Sequence, residues 1–242
     1  MTAHSVVVTG ASSGIGLGIA QGFTAAGWRV VGLDVTAAPN VIEGDVRDRA
    51  AHERAALRAN ELGTLTAWVN CAGIAEQASV HEADAAHLDR IIDVNLKGVF
   101  WGTAVAVESM LETGGGSIVN ISSGQALRGR DGYPAYAASK GGILALTTQV
   151  AAEYADRGIR CNALVPGVIE TAMNAQILAE ADEPDLIRRS WDVLSPIGRW
   201  GTPADIAHLA LFLCTEDAGF ITGAQIPVDG GQMTLPPDRA VG

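Results

Sequence analysis

Short apolar runs alternate with longer stretches of helical periodicity from one end of the chain to the other. Residues 5–9 are a β-branched run of the kind that a strand buried on both faces requires. Residues 17–26 then place apolar side chains at helical spacing. A second strand is predicted over residues 28–34 and a third over 41–43. Too few residues separate these two for a crossover helix, so a loop is expected between them. A helix is predicted from about Asp48 to Leu62, a fourth strand over 65–69, and a long helix from about Asp84 to Thr113 that contains Asn95. Gly114, Gly115 and Gly116 end that helix, and a fifth strand is predicted over 117–123. The next helix starts near Tyr133 and runs to about Asp156. Its Gly141, Gly142, Ala145, Ala151 and Ala152 predict close approach by another helix. A sixth strand over 159–165 is closed by Pro166-Gly167, a helix follows from Pro203 to Leu213, and a last strand is predicted over 225–229. Residues 168–200 show no clean period and follow the end of a strand, which makes them a candidate mobile lid. With no internal repeat or linker, the alternation predicts an α/β fold: a single doubly wound parallel sheet with helices on both faces, forming one domain over residues 1–242.

Three stretches carry chemistry. Gly10, Gly14 and Gly16 sit between the first strand and its helix, where glycines let the backbone approach a pyrophosphate. The helix start adds amide donors and a positive dipole. Asp34 ends the second strand 18 residues after Gly16, a spacing suited to a carboxylate that accepts both adenosine ribose hydroxyls. A 2′-phosphate there would meet like charge, at a cost of up to about 4 kcal/mol at close range. Val35 and Thr36 are not basic, and Ser12 and Ser13 leave the glycine turn without Lys or Arg, so NAD is favoured over NADP. Tyr136 and Lys140 stand four residues apart and share a helix face. A positive charge beside a phenol lowers its pKa and makes it a usable general acid/base near neutrality.

Composition narrows the classes. A net charge of −11 argues against nucleic acid or an anionic membrane as partner. No apolar run approaches the roughly 18 residues of a membrane span, and Met1 leads into a strand pattern without a basic leader, so a cytoplasmic location is expected. Cys71, Cys161 and Cys214 are odd in number and show no metal or redox spacing, which predicts reduced thiols. His81, Glu82 and His87 miss the spacing of a zinc helix, so no metal site is expected.

Taken together, these motifs resemble the short-chain dehydrogenase/reductase family over nearly the whole chain. Residues 9–16 are similar to its cofactor turn. Asn70-Cys71-Ala72-Gly73 is similar to its N-N-A-G segment with Cys71 in place of the second Asn, and residues 166–171 are similar to its nicotinamide-side loop. Ile221 to Gly223 and Val228 to Gly231 resemble its C-terminal signature. The resemblance implies a Rossmann fold and a catalytic set of Asn95, Ser123, Tyr136 and Lys140. In it Tyr136 takes the hydroxyl proton, Lys140 lowers the phenol pKa and holds the nicotinamide ribose, Ser123 bonds the substrate oxygen, and Asn95 holds a water linked to Lys140. Ser122 is the rival for the serine role, but adjacent strand residues face opposite ways. The implied cofactor contacts are Gly10, Ser12, Ser13, Gly14, Ile15 and Gly16 at the turn, and Asp34, Asp45 and Val46 at the adenosine side. Asn70, Ala72, Gly73, Tyr136, Lys140, Pro166, Gly167, Ile169 and Thr171 complete that set. Asp45 is also readable as a strand-end turn residue, Thr171 equally as a helix cap, and Trp191 and Trp200 equally as lid packing.

The expected activity is NAD-dependent hydride transfer between a secondary alcohol and its ketone, with residues 74–83, 124–135 and 168–200 setting the substrate. The short loop after Asp34 is shared with relatives that oxidise cyclic diols. Two alternatives stand beside it, an NADPH ketoreductase of the 3-oxoacyl-thioester type and a non-catalytic dinucleotide sensor. Apolar residues beyond one core stripe, among them Val99, Phe100, Val105 and Val107, predict a homo-oligomer, dimer or tetramer.

Overall fold

Each apolar run becomes a strand in the computed structural model, which describes residues 3–234 and so leaves Met1, where a leader would begin, outside the described residues. The chain runs β1 (His4–Thr9), α1 (Gly14–Ala25), β2 (Arg29–Asp34), β3 (Val41–Glu43), α2 (Arg49–Leu62) and β4 (Thr64–Asn70). It continues through α3 (Ala85–Ile92), α4 (Gly98–Thr113), β5 (Gly116–Ile121), α5 (Pro134–Tyr154) and β6 (Ile159–Pro166). It then forms α6 (Ala172–Ala179), α7 (Pro184–Asp192), α8 (Pro203–Leu213) and β7 (Gln225–Val228). The strands form one sheet in the order β3-β2-β1-β4-β5-β6-β7, with every pair parallel. The order reverses between β1 and β4, the switch point at which open α/β sheets open a crevice beyond the strands' carboxyl ends.

The two faces of the sheet bury different side chains because successive strand residues point opposite ways. Val7, Leu33, Trp68, Ile118 and Cys161 pack against α2, α4 and α5 through Ala55, Ala106, Met110 and Val150. Val6, Val8, Val69, Val119 and Leu164 face the other way, onto Ile19 and Phe23 of α1 and Ile206, Ala210 and Leu213 of α8. Val99, Val105 and Val107 of α4 are buried within this chain, as is Ala151 of α5, so these do not form an uncovered face. Gly142 is likewise filled from within, since a Cβ there would meet Leu96 at 2.9 Å. Of the residues expected to meet another helix, Phe100 on α4 and Ala145, Thr148, Gln149 and Ala152 on α5 stay exposed.

Local chemistry sets the helix starts. Asp48 accepts the Ala50 N–H at 3.0 Å and Asp84 accepts the His87 N–H at 2.7 Å. Thr202 and Asp205 form a reciprocal capping box ahead of Pro203. One expected helix differs in form. The stretch predicted from Asp84 to Thr113 is interrupted by a π turn, Asp93–Lys97, in which the Gly98 N–H reaches back five residues to the Asp93 carbonyl. Residues 168–200, unreadable by period, hold the two short helices α6 and α7.

Candidate active site

The turn after β1 is built from glycines for steric reasons. Gly10 has φ 70°, and a Cβ on it would meet the Ala72 backbone at 2.8 Å, so the turn and the end of β4 close on each other only with glycine there. Thr9 Oγ1 holds them together, accepting the Cys71 N–H at 3.0 Å and the Ala72 N–H at 3.1 Å. Cys71 in place of the family's Asn therefore loses nothing from this backbone clamp, and burial pushes its thiol up to about 12, which keeps it protonated.

Asp34 stands at the end of β2 with its carboxylate oriented by backbone donors: Ser12 N–H to Oδ2 at 3.0 Å and Thr36 N–H to Oδ1 at 2.9 Å. Each oxygen keeps lone-pair capacity for a further donor. Ser12, expected as a cofactor contact, instead orients Asp34 through its N–H and bonds the Thr36 carbonyl with its hydroxyl at 2.6 Å. Asp45 carries a close ion pair with Arg47, which holds its carboxyl below the usual range.

Across the switch point, β5 and α5 bring the proton-handling groups together. Lys140 is almost fully buried, and its Nζ donates to the Ile121 carbonyl at 2.9 Å. Two of its three donors remain available. Its Nζ lies 5.6 Å from the centre of the Tyr136 ring. Ser122 donates to the Lys140 carbonyl at 2.8 Å and ties α5 to β5. Ser123 accepts the Gln125 N–H at 3.2 Å, and its hydroxyl stands beside the Tyr136 phenol. The serine facing the phenol is thus the second of the pair. Burial dominates the titration of both Tyr136 and Lys140. Burial raises the phenol pKa, with Ser123 opposing the rise, and the same burial pulls Lys140 down to about 8. Desolvation disfavours the charged form of each.

A cavity of about 810 Å³ runs over the carboxyl ends of the strands. Its wall includes Gly10, Ser13, Gly14, Ile15, Gly16, Asp34, Asp45 and Val46 on one side of the switch point. Ala72, Gly73, Ser123, Tyr136, Lys140, Pro166, Gly167, Ile169 and Thr171 line it on the other. Thr171 also caps α6, accepting the Asn174 N–H at 3.3 Å, so both readings of that residue hold. The expected positions Asn70 and Asn95 stand outside the cavity lining. Asn70 is buried away from the cavity and spends its side chain on Trp68, Thr103 and Asn120 at 2.9, 3.1 and 2.8 Å. Asn95 is also buried. Its amide pairs with the Ile74 backbone in both directions and donates to Ser139, and its oxygen keeps one lone pair. It positions the chain after β4.

Some lining residues carried no sequence signal beyond their segment. Arg47 lines the adenosine side, where the sequence offered no neighbouring base, but it is committed to Asp45. Gln125, Arg128, Arg130 and Tyr133 come from the loop before α5, and Trp191 from α7. Gln125 Oε1 is buried without a partner. Trp191 is buried against Trp200 with ring centres 5.6 Å apart, so Trp191 lines the cavity while Trp200 packs behind it. No group of His, Cys, Asp and Glu suited to a metal occurs among the described residues.

A carboxylate aligned at one end of this cavity, a buried lysine at the other and a glycine turn between them fit a dinucleotide. Comparison with known proteins agrees. A family model described as enoyl-(acyl carrier protein) reductase matches residues 10–233. The chain is 40% identical to 2-(S)-hydroxypropyl-CoM dehydrogenase 3 of Xanthobacter autotrophicus, over 95% of this chain and 96% of that protein. It is 38% identical to a galactitol 2-dehydrogenase (L-tagatose-forming) of Cereibacter sphaeroides, over 93% of this chain and 92% of that protein. The structure of ligand-free aldohexose dehydrogenase from Thermoplasma acidophilum superposes with a TM-score of 0.89 at 33% identity, covering 97% of this chain and 96% of the other. The chain belongs to the short-chain dehydrogenase/reductase family and is an oxidoreductase that uses a nicotinamide dinucleotide.

Proposed function

We propose that this chain is an NAD-dependent dehydrogenase that interconverts a secondary alcohol, a cyclic alcohol or diol among the candidates, and its ketone. One observation carries the reading. Ser123, Tyr136 and Lys140 line one side of a cavity whose other side holds Asp34, with both carboxylate oxygens fixed by backbone N–H groups. Asp34 would accept the adenosine ribose hydroxyls, the turn from Gly10 to Gly16 would cover the pyrophosphate, and Lys140 would hold the second ribose with its spare donors. When bound, the dinucleotide supplies the carbon that accepts or returns the hydride.

The residues of the chain handle the proton. Ser123 donates to the substrate oxygen where charge develops. Tyr136 accepts the hydroxyl proton in oxidation and returns it in reduction. A buried phenol with a raised pKa is a weak base until a substrate and cofactor complete the site, and the positive charge on Lys140 favours the phenolate in that closed site. Asn95 holds the chain after β4 in place through Ile74. Helices α6 and α7 within residues 168–200 form the substrate lid of the single domain, and a homo-oligomer in the cytoplasm is the working form.

The presence of Arg47 in the lining favours a second reading, an NADPH-dependent ketoreductase, if it leaves Asp45 for a 2′-phosphate. Turnover of secondary alcohols and diols with NAD and NADP side by side tests both. Faster turnover at lower concentration with NAD supports the first reading, and a preference for NADP supports the second.

A further inference from the structure

At the end of the cavity away from Asp34 the wall is cationic, and its cations have no protein partner among the described residues. Arg128 and Arg130 both line it, and neither side chain makes a hydrogen bond or ion pair with a described residue. The acids in the same wall are Asp34 and Asp45, on the far side of the switch point, and Asp45 is already paired with Arg47. Two unpaired arginines are an unusual provision in a chain whose net charge is −11.

The setting of Arg130 is specific. Its guanidinium carbon lies 5.3 Å from the centre of the Tyr133 ring and 4.7 Å from that of Trp191. Such cation–π contacts hold a guanidinium without satisfying its hydrogen-bond donors as a carboxylate or carbonyl would. Burial draws its pKa below the ordinary value, with no carboxylate to oppose the shift. Tyr133, the residue before α5, precedes Tyr136 by three residues, and Arg130, Tyr133 and Tyr136 line the same cavity. An arginine serving only as a strut between this loop and α7 would be expected to bond carbonyls or a carboxylate. This one lines the cavity and bonds neither, so its N–H donors remain available to a ligand there, and a guanidinium can meet an oxyanion with two parallel hydrogen bonds.

From this arrangement we infer that Arg130 recognises an oxyanionic group carried by the substrate, so that the physiological alcohol is a hydroxy-carboxylate, -sulfonate or -phosphate and not a neutral alcohol. The inference rests on reading the cavity as an alcohol-dehydrogenase site, and Arg130 is its specificity residue.

Two measurements test it, and the first needs no turnover. With NADH present, hexanoate and butane-1-sulfonate are titrated by calorimetry against hexanamide, an uncharged counterpart. A charge-assisted pair is expected to favour an anion over the amide by about tenfold or more, and Arg130→Met to erase that preference. Equal binding of anions and amide by the unmutated protein, no anion binding at millimolar concentration, or a preference that survives in R130M overturns the inference. Preference for carboxylate over sulfonate, or the reverse, identifies the head group. The second measurement compares kcat/KM for 3-hydroxybutanoate, 4-hydroxypentanoate and 5-hydroxyhexanoate with that for their methyl esters. The acid-to-ester ratio should exceed about ten for at least one length, fall by about tenfold in R130M and recover partly in Arg130→Lys. If R130M lowers acid and ester alike, the residue is a strut and the inference fails. If no alcohol turns over with either cofactor, the dehydrogenase reading fails, and the binding comparison still decides the role of Arg130.

Discussion

Asn95 and Ile74 pair as two strand residues would: the Ile74 N–H donates to Asn95 Oδ1 at 2.8 Å, and Asn95 Nδ2 donates to the Ile74 carbonyl at 2.9 Å. The pairing comes from the π turn between α3 and α4 and fixes the loop after β4, whose Gly73 backbone lies next to Lys140. Replacing Asn95 with Ala leaves a part-buried N–H and C=O without partners. Unfolding by urea should show N95A to be less stable by about 1–3 kcal/mol. An unchanged midpoint would mean that the loop does not depend on this pair.

Asp34 should decide the cofactor. The unmutated protein is expected to bind NADH about tenfold or more tightly than NADPH, because a 2′-phosphate beside this carboxylate meets like charge. Asp34→Ala should narrow the gap mainly by weakening NADH, since it also frees the Ser12 and Thr36 N–H groups. Fluorescence titration measures both affinities, and tighter NADPH binding by the unmutated protein would refute the assignment.

Tyr136→Phe should leave NADH binding nearly intact and lower kcat by roughly 10²–10⁴, the range for loss of a general acid/base. Burial raises the phenol pKa, so alcohol oxidation, which needs the proton acceptor, should speed up with rising pH, and ketone reduction should slow. A Phe variant that works near the parent rate would remove Tyr136 from the mechanism.

The architecture was legible because it is written in periods. A β-branched run such as residues 5–9 has few ways to be buried, and seven such runs alternating with helices leave a doubly wound sheet as the economical solution. Asp34, Ser123, Tyr136 and Lys140 were legible for a similar reason, being tied to strand ends or to one helix face. The partners of Asn70 and Asn95 were not legible, because motif position shows that an amide is needed but not which groups it satisfies. Spacing reveals the proximity of Tyr136 to Lys140 but not the desolvation of both groups. Arg130 was not legible at all, since its meaning depends on Trp191, 61 residues later, in a segment without a period.

Lys140 should also leave a signature in stability. Its folded pKa is depressed from 10.5 to about 8, so between these values the unfolded chain holds a proton that the folded protein has released. Stability from this group therefore rises with pH across that window, and the burial penalty is fully present below about pH 8. Measured as the difference from Lys140→Met in urea unfolding without cofactor, the parent should gain up to about 3 kcal/mol between pH 7 and 10. Taking the difference removes the opposite trend from the buried cysteines, whose thiols are held up to about 12. A flat difference would mean that Lys140 is not buried as a charge.

The last prediction concerns assembly. Once Gly142, Val99, Val105 and Val107 are assigned to contacts within the chain, the uncovered residues are fewer than the periodicity implied, but they are contiguous in kind. Ala145, Thr148, Gln149 and Ala152 recur at helical spacing on the exposed face of α5, and all are small or uncharged. On α4, Phe100 is 48% exposed with its ring edge-on to Trp101, and Leu111 is 41% exposed. A stripe of small, uncharged residues, bordered by Glu153, and exposed apolar side chains on α4 are suited to identical surfaces across a two-fold axis. Light scattering at micromolar concentration should give about 50 or about 100 kDa, twice or four times the 25.0 kDa chain. Ala145→Arg should then lower the mass, because an unpaired charge buried at a helix contact typically costs several kcal/mol. A mass near 25.0 kDa for the unmutated protein would show that these faces meet solvent after all.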